Sequence, residues 1–146
     1  MTDRFRRSFV LLAGALAGSA LVAGPVSAQS QPSKNRVVLQ VSDNDPAKWN
    51  LVLNNLRNLQ QDLGDEGVEA EVVAYGPGIG MLKADSPVAK RVADALKSGA
   101  KVVACENTMK GQKLVYADML PDIGYVPAGV TELMRKQQQG WAYIRP

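Results

Sequence analysis

Short, nearly continuous apolar runs rich in valine alternate along this chain with stretches in which apolar residues recur every three or four positions. That alternation restricts the chain to an α/β architecture. Runs apolar at almost every position suit strands covered on both faces, and the striped stretches suit the helices that cover them. Residues 36–41 form the first such run and predict strand one. Asp45-Pro46 then places a carboxylate at an N-cap and a proline at the first helical position, where its missing N–H costs nothing. Trp49, Val52, Leu53, Leu56, Leu59 and Leu63 form one apolar stripe that ends at Gly64. Residues 68–75 predict strand two, followed by a tight turn through Gly76-Pro77-Gly78-Ile79-Gly80. Ser86-Pro87 repeats the cap-plus-proline start for a second helix, which stops at Gly99. Lys101–Cys105 predicts strand three, and Asn107 and Thr108 can cap a third helical stretch interrupted by Gly111 and ended by Pro121. Residues 125–127 predict a short strand at an end or edge because of Pro127. A helix over residues 129–139 and a last strand over residues 141–144 complete five strands and about four helices. Right-handed crossovers would stack them as a three-layer sandwich around a mostly parallel five-stranded sheet. Its ligand chemistry would lie at the carboxyl edge, near a topological switch point.

The amino end stands outside that pattern. Arg4, Arg6 and Arg7 precede an apolar stretch over residues 9–23, then Pro25 and the small-residue sequence Val26-Ser27-Ala28. This order reads as a secretory signal peptide cleaved after Ala28, and its apolar run of about 15 residues is shorter than the ~20 a spanning helix needs. Export to the periplasm is the expectation. An uncleaved anchor is the alternative, and the intact mass of exported protein distinguishes the two. Residues 29–35 lack apolar periodicity and read as a flexible linker, leaving residues 36–146 as the folded domain. Without residues 1–28 the chain has 118 residues, 14 basic and 13 acidic side chains, and a net charge of +1 instead of +3. A domain so nearly neutral has no electrostatic reason to bind nucleic acid, and no membrane partner is expected once the leader is gone.

With no histidine and one cysteine, the chain cannot use a histidine base, build a Cys/His zinc cluster or close an internal disulfide. The glycine loop at 76–80 follows the second strand, carries Pro77, has Met81 where a third glycine belongs, and lacks a closing Gly-Lys-Ser/Thr. It matches neither a dinucleotide nor a phosphate-loop motif. Ser42-Asp43-Asn44-Asp45 lacks the glycine and closing glutamate of a calcium loop. No metal and no cofactor are therefore expected. Asn50, Asn54, Asn55 and Asn58 lie along the first helix, where asparagine is a mediocre helix former. They form a solvated polar face or hydrogen-bond a neighbouring loop or subunit.

Cys105 is the sharpest chemical candidate. A thiol at the carboxyl end of a central strand, just before a helix opened by Asn107-Thr108, would meet backbone N–H groups, and a helix amino terminus lowers a thiol pKa. Glu106 beside it would act in the opposite sense. The alternative is that Cys105 terminates a Val-rich core strand as a small buried hydrophobe. Reactivity requires that its sulfur be reachable by solvent.

Val41-Ser42-Asp43 with Asp45-Pro46-Ala47-Lys48-Trp49-Asn50, Val73-Ala74-Tyr75-Gly76-Pro77-Gly78, Ala104-Cys105-Glu106-Asn107-Thr108-Met109, and Val126-Pro127-Ala128-Gly129-Val130 before Gly140-Trp141-Ala142-Tyr143 together resemble the DsrE/DsrF-like (sulfur-relay-like) family, across about residues 36–146. The resemblance implies a flavodoxin-like three-layer α/β fold and homo-oligomers, commonly trimers or hexamers. In the relay members a cysteine after a central strand carries a persulfide and passes it to a partner protein. Cys105 stands at the comparable place. The resemblance thus points to an exported protein that carries or binds sulfane sulfur at Cys105, with a sulfur donor or acceptor protein or a small ligand as partner. Ser42, Asp43, Tyr75, Gly76, Asn107 and Thr108 are the candidate ligand-binding residues around it. The alternative is a non-catalytic ligand-binding or structural oligomeric module in which the cysteine is core packing.

Overall fold

The computed structural model describes residues 34–146. The expected leader, and the expected linker up to residue 33, lie outside the described residues. The elements in chain order are β1 (Asn35–Val41), α1 (Pro46–Leu63), β2 (Val68–Ala74), a 3₁₀ segment (Gly76–Leu82), α2 (Ala89–Lys97), β3 (Lys101–Cys105), α3 (Glu106–Gly111), a 3₁₀ turn (Tyr116–Asp118), β4 (Gly124–Val126), α4 (Gly129–Gln138) and β5 (Ala142–Ile144). The strands form one sheet in the order β4-β3-β2-β1-β5, and every pairing is parallel. β1 already includes Asn35, which pairs with Val68, so the sheet claims one residue expected in the linker.

The period-two alternation of strands sorts the side chains into two cores. Val37, Leu39 and Val41 of β1, Val72 and Ala74 of β2, and Val102 and Ala104 of β3 face α1 and α2, which contribute Trp49, Val52, Leu53, Leu56, Val92 and Ala95. The opposite face is smaller: Val38, Val73 and Val103 pack with Leu133 of α4 and with Trp141. α1 forms where its stripe and cap predicted it. The Asp45 carboxylate accepts from Ala47 N–H at 2.8 Å, and the indole N–H of Trp49 donates to Asp43 O at 2.8 Å. Asn50 and Asn54 do reach a neighbour: both accept from the Arg91 guanidinium on α2.

Three local expectations are corrected. The glycine-rich stretch after β2 is a seven-residue 3₁₀ segment instead of a tight turn, because Ile79, Met81 and Leu82 drive it into the core. α2 begins at Ala89, since Ser86 is used in a turn that accepts from Ala89 N–H at 3.1 Å. α3 begins at Glu106, which puts Cys105 itself at the N-cap position and Asn107 and Thr108 inside the first turn.

The order of the sheet also relocates the switch point. Successive strands step from β1 to β4 in one direction, and the chain then returns to place β5 on the other side of β1. The reversal therefore lies between β1 and β5, whereas Cys105 ends β3, on the far side of β2.

Candidate functional site

Strand register places the carboxyl ends side by side. Val41 is opposite Ala74, Ala74 opposite Ala104, and Cys105 opposite Val126. One residue beyond Ala74, Tyr75 lies level with Cys105. Both project to the α4 face, as Val73 and Val103 do two residues earlier. Cys105 is buried, at 5 % exposure. Its surroundings, however, are donors. Burial alone would push the thiol up, but the Thr108 hydroxyl and the backbone N–H groups of Gly129, Thr108 and Asn107 outweigh burial and hold it below its ordinary value. The side chain closes no regular cap on α3, and Asn107 N–H is bonded to Pro127 O at 3.1 Å, so these groups act largely as partial positive charges facing the sulfur.

Thr108 is oriented for this task by the segment after β2. Gly76 N–H donates to Thr108 Oγ1 at 2.9 Å, which leaves the hydroxyl proton free to point at the sulfur, and Gly76 O accepts from Gln112 Nε2 at 3.2 Å. Gly76 does this at φ +54, a conformation that side chains rarely adopt. Gly129 opens α4 against Tyr75: a Cβ at Gly129 would lie 2.9 Å from Tyr75 Cβ. The cap position of α4 is Ala128, which offers no side-chain acceptor, so the first N–H groups of this helix remain available to the sulfur.

The structure thus gathers Cys105, Thr108, the Asn107 backbone, Gly76 and, through Gly129, Tyr75. Ser42 and Asp43 are engaged elsewhere. Ser42 Oγ accepts from Gln40 Nε2 at 3.0 Å, and Gln40 in turn accepts from the Tyr143 hydroxyl. Asp43 pairs with Lys48 at 3.0 Å and reaches Arg145 at 3.9 Å. Glu106, expected to oppose thiolate formation, has its carboxylate tied to the Tyr116 hydroxyl at 2.6 Å. Gly129 is the residue that sequence reasoning missed. Its signal was a helix start at Pro127-Ala128-Gly129 with no capping side chain.

A second polar cluster lies under α4. Lys136 Nζ sits 2.6 Å from Glu71 Oε2 and 4.1 Å from the centre of the Trp141 ring, and Glu71 is 3 % exposed with Oε1 unpartnered. Burial raises the Glu71 carboxyl above its ordinary value despite Lys136.

Comparison with solved structures agrees with the topology. A protein of unknown function from Methanobacterium thermoautotrophicum is 38% identical, with TM-score 0.73, over 77% of this chain and 99% of its own. A conserved protein of unknown function from Bacteroides thetaiotaomicron (12% identity, TM-score 0.66, 80% and 99% covered) and the ychN protein of E. coli (11%, 0.57, 77% and 99%) share the fold. No curated protein matches the chain. The model of the DsrE/DsrF-like family matches residues 35–146, the whole of the described α/β domain but for its first residue, and the chain belongs to that family.

Proposed function

We propose that this is an exported, homo-oligomeric sulfur carrier that holds sulfane sulfur as a persulfide on Cys105. The observation that carries the reading is the place of the sole thiol, buried at the end of β3 and at the N-cap position of α3, beside Thr108 and the uncapped first turn of α4, surroundings that hold it below its ordinary value. In the transfer step the Cys105 thiolate attacks the terminal sulfur of a persulfide donor, R–S–SH. A new S–S bond forms at Cys105, the donor S–S bond breaks, R–S⁻ leaves, and the proton stays with the transferred sulfur. The oxidation level of the transferred sulfur does not change, so no external oxidant is required. The same donors that favour the thiolate favour the negative charge of the persulfide.

The test is the pH dependence of alkylation in the native protein. The rate is expected to follow a titration with its midpoint below the ordinary value of a cysteine thiol. Labelling that appears only after denaturation would mean that Cys105 is core packing, and the carrier reading would fail.

Self-association has support on the α4 face. Val130 is 61% exposed and Met134 50%, one helical turn apart, beside Tyr143 at 41%, an unusual amount of apolar surface for one helix. In the proposed trimer or hexamer a second copy covers this stripe. Met134→Glu is expected to shift the protein toward monomer in sedimentation velocity while its thermal unfolding midpoint changes little; an unchanged assembly would place the interface elsewhere.

A further inference from the structure

On the opposite face of the sheet from Cys105, α1 and α2 bound a groove of about 460 Å³. Its two ends are closed by bridges between the helices. At one end Arg91 of α2 donates through Nη1 to the carbonyl and side-chain oxygens of Asn50 and through Nη2 to Asn54 Oδ1 at 2.7 Å. At the other, Gln60 Nε2 donates to the Ser98 carbonyl at 3.1 Å and to its hydroxyl at 2.9 Å. Leu53, Leu56 and Ala95 form the floor, and Arg57, Lys90 and Asp94 the walls.

The charge of this groove is not balanced. Three cations face one carboxylate, and among the described residues no ion pair within 4.0 Å includes Arg57, Lys90, Arg91 or Asp94. Arg91 is held by neutral amide oxygens, which fix its geometry without cancelling its charge. Of its five donors three are used, leaving Nε–H and one N–H on Nη2. A guanidinium immobilised in advance, with free donors and two further cations around it, is the arrangement that recognises a compact oxyanion at low entropic cost. We propose that this groove is a binding site for a divalent oxyanion of the sulfate or phosphate type. The site is independent of the sulfur-carrier reading and would survive its failure.

Isothermal titration calorimetry of the purified protein with sulfate and with inorganic phosphate, against chloride at matched ionic strength, tests it. Saturable binding is expected for the divalent ions only. Arg57→Gln and Lys90→Gln, at exposed positions, should each weaken it about two- to fivefold, the range of single exposed charge pairs. Asp94→Asn should strengthen it by a similar factor. Removing the one opposing charge gives an effect that loss of structure would not produce. Absence of saturable binding beyond chloride, or affinities indifferent to all three substitutions, overturns the proposal.

Discussion

Incubated with inorganic polysulfide and weighed intact, the protein is expected to gain about 32 Da, one sulfur atom, and Cys105→Ser to gain nothing. The difference is complete because Cys105 is the only thiol in the chain. The added mass should be lost on treatment with a reductant, which removes sulfane sulfur and leaves sulfinic or sulfonic acid in place. Thr108→Val separates activation of the sulfur from its mere presence. Valine keeps the shape but removes the hydroxyl that faces the sulfur, and it deprives Gly76 N–H of its acceptor. A hydrogen bond to a charged group contributes about 1.5–3 kcal/mol, so its loss should raise the thiol pKa. Because the fall in thiolate fraction is partly offset by the greater nucleophilicity of the thiolate that remains, sulfur uptake near neutral pH should slow about three- to tenfold. Thr108→Ser retains the donor and should remain close to the parent rate. Equal uptake by parent and Cys105→Ser would refute the assignment. Equal rates for parent and Thr108→Val would leave Cys105 reactive for some reason other than these donors.

Much of the fold could be read from the sequence because the signals were local and concordant. The stripe from Trp49 to Leu63 with Asp45-Pro46 before it, and the valine runs of β1, β2 and β3, each admit one arrangement. What escaped was set by long-range packing. Nothing near Gly76 reveals that Ile79, Met81 and Leu82 will be drawn under the sheet and wind the loop into a 3₁₀ segment. The same holds for the site. Cys105, Gly76 and Thr108 could be singled out, but their connection through one hydroxyl depends on β2 and β3 being neighbours, and Gly129 depends on where α4 begins. Ser42 and Asp43 follow β1, next to β2 in the sheet, yet their side chains serve the Gln40–Tyr143 network and the Lys48 pair. Glu71 shows the limit most clearly. In sequence it is a charged interruption of a strand, and only the crossing of α4, which brings Lys136 to 2.6 Å, accounts for its burial.

A large effect on stability is expected from Gly78→Ala. A Cβ at this position would stand 2.3 Å from Val41 O, 2.6 Å from Val41 C and 2.8 Å from Ser42 N. All three are backbone atoms at the carboxyl end of β1, so no rotamer change relieves the clash. Either β1 or the 3₁₀ segment must move, and that segment carries Ile79, Met81 and Leu82, all at most 1 % exposed. The cost should be on the order of 3–5 kcal/mol in urea unfolding, the upper range for single substitutions and a large part of the stability of a domain this size. Because Gly76 belongs to the same segment, the shift also displaces the N–H that orients Thr108, and the thiol pKa should rise together with the loss of stability. Gly111→Ala is the matched control. A Cβ there meets nothing within 4 Å, the site is exposed in α3, and alanine is the better helix former, so its stability should be unchanged or higher by about 0.5–1 kcal/mol. Should Gly78→Ala unfold at the same urea concentration as Gly111→Ala, the close approach of the 3₁₀ segment to β1 would be wrong. The positioning of Gly76 beside Thr108, which depends on that approach, would then need another explanation.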